Sequence, residues 1–230
     1  MHKLQGIKIR SRKMIGYYNY TVILTYLGLI ASFVGLTQMI QGRFTVALFC
    51  LIASGVCDMF DGVVARTKTD RTESEKVFGI QIDSLCDLVC FGIFPAVFNF
   101  CFTMKYMADC SIIASAISSF YLLAAVIRLG YFNVKEQQRQ QETDESRKYY
   151  QGMPVTTIAA YLPFLYMFRN IIGLDNFYIA ENILTFIMGW LFILNIPVPK
   201  AHKRGIITIL VAGLILTVVF VLQCIDILKF

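Results

Sequence analysis

Asp58-Met59-Phe60-Asp61-Gly62-Val63-Val64-Ala65-Arg66 and, twelve residues later, Gly79-Ile80-Gln81-Ile82-Asp83-Ser84-Leu85-Cys86-Asp87 set two acidic pairs at the ends of otherwise apolar runs. A carboxylate is expensive at bilayer depth, so four of them in such surroundings mark a function and need a cation or a cationic partner to neutralise them. Arg66 supplies one positive charge against four negative ones. Positions three or four apart share a helix face, so Asp58 projects with Asp61 and Asp83 with Asp87. Two such helices facing one another deliver four carboxylates to one small volume. Aspartates at membrane edges can also be caps or simply solvated, and a single pair would fit that reading. It does not account for two acidic pairs, two glycines and an arginine gathered on one side.

The runs belong to a chain of 230 residues that is 57% hydrophobic and 16% charged, with a mean hydropathy of +0.63. That is more apolar surface than a soluble core can bury. Stretches able to cross roughly 30 Å of hydrocarbon fall near 17–40, 44–64, 79–104, 110–134, 153–173, 177–196 and 205–228. They predict an all-α, polytopic membrane helix bundle of about seven hydrophobic helices, one membrane domain over 17–230 preceded by a basic interfacial segment over 1–16. That first segment lacks the contiguous apolar core and small-residue cleavage site of a signal peptide.

Lys and Arg gather in alternate connections, as the positive-inside rule requires. The connections on the aspartate side hold all of the 21 Lys and Arg except Arg43, Lys105, Arg169 and Lys229. The amino terminus and the aspartates are therefore expected on the cytoplasmic side of a bacterial or archaeal cytoplasmic membrane, with the carboxyl terminus outside. The net charge of +6 follows from this topology and from affinity for anionic lipid, and no nucleic-acid partner is expected. The seven cysteines lie mostly in apolar segments without the Cys/His spacing of a zinc site, and read as small buried side chains. Asn19-Tyr20-Thr21 fits a glycosylation sequon but falls on the inner side. Glu181 and Asp226 are expected to reach interfacial water, and the polar stretch from Lys135 to Lys148 reads as a solvated loop or a helix extension.

Four carboxylates make an all-oxygen ligand set, which suits Mg²⁺ or Mn²⁺. Two divalent ions about 4 Å apart are the usual clamp for an in-line displacement at phosphorus. Gly62 and Gly79 let a bulky ligand come close to their helices. A secondary transporter with buried acidic ion sites is the competing class. It would be expected to show internal repeats and broken helices near mid-membrane, whereas here the acids cluster near one face and no repeat is evident.

The pattern D-x-x-D-G-x-x-A-R, a spacer, and G-x-x-x-D-x-x-x-D resembles the signature of the CDP-alcohol phosphatidyltransferases. Asp58, Asp61, Gly62, Ala65, Arg66, Gly79, Asp83 and Asp87 fill its fixed positions. The spacer from Thr67 to Phe78 is twelve residues, where the family commonly has eight. Within the family the chain is most similar to phosphatidylserine synthases, through Gln81–Pro95, Arg128–Val134, Gln151–Pro154 and Pro197–Lys200. Gly130 and Tyr131 replace the usual Ala and Arg of the second block. The resemblance implies a six-helix core plus one helix, a homodimer, and transfer of a phosphatidyl group from CDP-diacylglycerol to L-serine, releasing CMP. Other acceptors, such as glycerol 3-phosphate or an inositol phosphate, stay open. It further implies Asp58, Asp61, Asp83 and Asp87 as ligands of two divalent ions, Asp87 as the catalytic base, and Gly62, Ala65, Arg66 and Gly79 at CDP-diacylglycerol. Arg128 is a candidate for the acceptor carboxylate or a headgroup anchor, and Asn133 a candidate acceptor ligand or a helix-end cap.

Overall fold

The computed structural model describes residues 15–142 and 149–199. A 3-10 turn, Tyr20–Val22, leads into α1 (Ile23–Ile40), followed by α2 (Phe44–Thr67) and α3 (Glu73–Asp87). α3 runs without a break through a π-helical stretch, Leu88–Ile93, into α4 (Phe94–Tyr106). Then come α5 (Ser111–Glu142), α6 (Ile158–Met167), the short α7 (Arg169–Ile172) and α8 (Leu174–Ile193). A small ribbon joins β1 (Tyr149–Gln151) to β2 (Pro197–Pro199), antiparallel, with Tyr150 opposite Val198.

Tyr20–Ile40, Phe44–Thr67, Glu73–Tyr106, Ala108–Gln138 and Leu174–Ile193 are each long and apolar enough to cross a membrane, and Val155–Met167 forms a shorter apolar helix. The chain is an integral membrane protein built as a helical bundle. These segments correspond to the first six of the seven expected. The seventh, 205–228, and residues 1–14 of the basic lead-in lie outside the described residues, as do Lys200 and Asp226.

Three local differences from the sequence reading have physical causes. α3 begins at Glu73, six residues before Gly79, because Thr72 and Glu75 form a capping box. The Thr72 hydroxyl accepts from the Glu75 amide at 3.3 Å and the Glu75 carboxylate accepts from the Thr72 amide at 2.9 Å. Much of the charged spacer is therefore helix. Second, Asn19 caps the first turn, its side-chain oxygen accepting from the Thr21 amide at 3.1 Å, which gives Asn-x-Thr a structural reason. Third, Glu181 does not reach water: it is 0% exposed, and neither carboxyl oxygen has a hydrogen-bond partner among the described residues.

α1 and α2 pack through small residues along their length. Ser54 donates to the Gly28 carbonyl at 3.0 Å, and Ser32 donates to Ser54 at 3.0 Å. A Cβ at Gly35 would stand 2.5 Å from Phe94 and 2.8 Å from Cys50. This small-residue stripe lets α1 and α2 approach closely, as membrane helices without a hydrophobic drive between them must. Depth and rotation of α2, and with them Asp58 and Asp61, follow from it. The end of the bundle away from the aspartates is aromatic: Phe44 meets Phe98 and Phe102 edge-on, with centroids 5.4 and 5.3 Å apart, and Phe102 meets Phe177 at 4.8 Å. Such ring pairs add about 0.5–1.5 kcal/mol each beyond the area they bury.

The π-helical stretch has a cause in sequence. Pro95 has no N–H to give the carbonyl four residues back, that of Phe91. The buried Tyr121 hydroxyl of α5 donates to that carbonyl at 2.6 Å, while the Phe94 amide reaches back five residues to the Val89 carbonyl. The helix stays continuous but its wheel changes phase immediately after Asp87.

Candidate active site

The C-terminal end of α2 meets the N-terminal end of α3, joined by the loop from Lys68 to Thr72. Carboxyl oxygens of Asp58, Asp83 and Asp87 lie within 4.8 Å of one another. Asp61, 8% exposed, accepts a hydrogen bond from Thr25 of α1 at 2.8 Å and lies against Asp83. The four aspartates singled out from the sequence thus come together as two facing pairs.

Two ionised carboxylates at 4.8 Å repel by roughly 3 kcal/mol at an effective dielectric constant of about 20. Among the described residues the ion pairs are Lys68–Glu75 at 3.1 Å and Lys76–Glu73 at 2.8 Å, and neither involves these aspartates. Hard oxygen donors, converging and without an ion-paired Lys or Arg, fit divalent cations such as Mg²⁺ or Mn²⁺. Asp58, Asp61, Asp83 and Asp87 are the residues that would hold them.

On one side of the aspartates opens a pocket of ≈ 320 Å³. Asp61 and Asp83 form part of its wall, with the motif residues Gly62, Ala65, Arg66 and Gly79 beside them. Arg66 is exposed at its edge. The sequence reading placed these residues together and passed over others that line the same space: Thr25, Lys68, Arg71 and Lys76. Thr25 lies in α1, more than thirty residues from the motif, and nothing in the spacing of the aspartates announces it.

On the other side lies Arg128 of α5. It is 9% exposed and within electrostatic reach of Asp87. Gly152, with φ +74°, packs on it. A Cβ there would stand 3.1 Å from the Arg128 guanidinium, 3.0 Å from the Leu194 carbonyl and 3.4 Å from the Phe192 carbonyl. Asn133 accepts from the Ser84 hydroxyl at 2.5 Å, so it ties α5 to α3 at the residue following Asp83. The Gln151–Pro154 block and Pro197–Pro199, far apart in sequence, meet where β1 pairs with β2 and the Gly152 amide donates to the Ile196 carbonyl at 2.8 Å.

A family model described as CDP-alcohol phosphatidyltransferase matches residues 18–198. The chain is similar to the CDP-diacylglycerol–serine O-phosphatidyltransferase of Methanocaldococcus jannaschii, 28% identical over 193 residues, 83% of each chain. It is similar to the protein of the same description in Helicobacter pylori strain 26695, 27% identical over 187 residues, 80% of this chain and 71% of that one. It is also similar to that of Saccharomyces cerevisiae, 34% identical over 128 residues. There the match covers 54% of this chain and 43% of the yeast protein, so the chain spans less than half the length of that relative. No solved structure matches the chain significantly.

Proposed function

The chain belongs to the CDP-alcohol phosphatidyltransferase family, and from that premise we propose that it transfers the phosphatidyl group of CDP-diacylglycerol to the hydroxyl of L-serine, giving phosphatidylserine and CMP. The family depends on divalent metal ions in general. The observation that carries the reading is the placement of four converging carboxylates between a basic pocket and a buried arginine.

The pocket side takes the nucleotide. Gly62, Ala65 and Gly79 leave room for the cytidine and its diphosphate, and the basic residues around them face the phosphates. The Arg128 side takes the acceptor. A serine carboxylate suits the guanidinium, and its ammonium suits the Phe192 and Leu194 carbonyls at the end of α8, where the helix dipole is negative. That pairing favours a zwitterion over glycerol 3-phosphate or an inositol phosphate, which would call for a denser cluster of cations. Asp87, in reach of Arg128, takes the serine hydroxyl proton as the oxygen attacks the lipid-bearing phosphorus. A new P–O bond forms to serine, the bond to CMP breaks in line, and CMP departs on the pocket side. Two Mg²⁺ or Mn²⁺ ions on Asp58, Asp61, Asp83 and Asp87 would neutralise the diphosphate and the leaving CMP. The excess of Lys and Arg in the connections on the aspartate side supports a cytoplasmic active site and amino terminus. The expected assembly is a homodimer in the membrane.

The test is CMP release from CDP-diacylglycerol by purified protein with Mn²⁺ or Mg²⁺, comparing L-serine, glycerol 3-phosphate and an inositol phosphate. Serine-dependent release is expected, falling at least about a hundredfold in a folded Asp87→Asn variant. Release with a different acceptor alone would overturn serine, and none with any acceptor would overturn the transferase reading.

A further inference from the structure

Four basic residues line the pocket, and they differ in what already satisfies them. Lys68 is bound to Glu75 and Lys76 to Glu73, and Arg66 is exposed at the edge. Arg71 is part-buried and lies over Gly79 of the signature: a Cβ at residue 79 would stand 2.6 Å from its Nη2. Its hydrogen bonds go to backbone carbonyls, Nη1 to Ala65 at 3.5 Å and Nη2 to Glu75 at 3.3 Å. Both are long for N–H···O, and together they use two of the five donors that a guanidinium carries. The Nε is buried and has no hydrogen-bond partner among the described residues.

This is an arginine anchored at the end of α2 and the start of α3, with its charge uncompensated by any carboxylate in an ion pair among the described residues and its donors half-spent. The pocket it borders also presents Asp61 and Asp83. An anion entering there can meet metal on one side and guanidinium on the other, which is the environment that a diphosphate needs and a neutral ligand does not. Gly79, lacking a side chain, keeps the guanidinium at the pocket wall.

We propose that Arg71 is a substrate-binding residue outside the signature motif, which takes the diphosphate of the CDP-activated lipid over Gly79. The inference rests on the transferase reading above and adds to it the residue that holds the diphosphate opposite the carboxylates. The alternative role for Arg71 is purely structural, as a cation capping the last carbonyls of α2.

The experiment measures CDP and cytidine binding to the full-length protein in detergent with Mn²⁺, together with Tm, for wild type, Arg71→Gln, Arg71→Lys and Gly79→Ala. Loss of a charge-assisted hydrogen bond should weaken CDP about tenfold or more in Arg71→Gln and leave cytidine unchanged. Arg71→Lys should recover part of the loss, and Gly79→Ala, which pushes the guanidinium aside, should reproduce it with the arginine still present. CDP affinity unchanged in Arg71→Gln, with Tm lowered, would make Arg71 a helix cap and overturn the proposal. If Arg71→Gln does not fold, wild-type CDP affinity in Gly79→Ala overturns it equally. Wild-type protein that binds neither CDP nor cytidine would sink the transferase reading itself, a result distinct from any loss confined to the variants.

Discussion

Asp61 differs from its three partners because Thr25 of α1 holds it at 2.8 Å. A hydroxyl that orients a metal-ligating carboxylate typically accounts for ten- to a hundredfold in metal affinity. Thr25→Val keeps the shape and removes the donor. The Mn²⁺ concentration needed for half-maximal thermal stabilisation should rise at least about tenfold, which a Tm titration reads without any turnover; an unchanged midpoint would leave Thr25 a packing residue. Asn133 likewise has a polar partner on another helix, the Ser84 hydroxyl. At this scale the motif was legible and its support was not. Carboxylate spacing announces a shared face, whereas Thr25 and Arg71 occupy no fixed position in any pattern and become visible only when the chain is folded.

At the scale of elements, the α3–α4 span shows how one proline reorganises a helix. Pro95 frees the Phe91 carbonyl, and Tyr121, 0% exposed, captures it. Tyr121→Phe would leave that carbonyl with its hydroxyl donor gone in a buried site, at a cost of about 1–3 kcal/mol. For a chain of this size that is a Tm lower by roughly 2–12 °C in detergent; an unchanged Tm would show that the π-helical turn satisfies the carbonyl unaided. The apolar runs gave the helices away because the bilayer sets their length. The π-helical turn stayed hidden because its cause, a carbonyl and its captor thirty residues apart, has no local signature. The start of α3 was within reach: Thr72 and Glu75 spell a capping box, but the charged spacer around them reads first as loop.

For the whole molecule, the acidic residues gather at one end of the bundle and the packed rings at the other. With the native cysteines replaced, single cysteines at Gln41 and Thr69 test its orientation. In right-side-out vesicles an impermeant maleimide should label Gln41→Cys and spare Thr69→Cys; the reverse pattern would turn the protein over. The two ends are joined through a helix whose turn widens at Leu88–Ile93. One additional residue in a turn delays everything beyond it by about 100° of rotation. The chain thus carries two compass bearings on a single rod: one aims Asp83 and Asp87, and the other, offset from it, seats Phe94, Phe98 and Phe102.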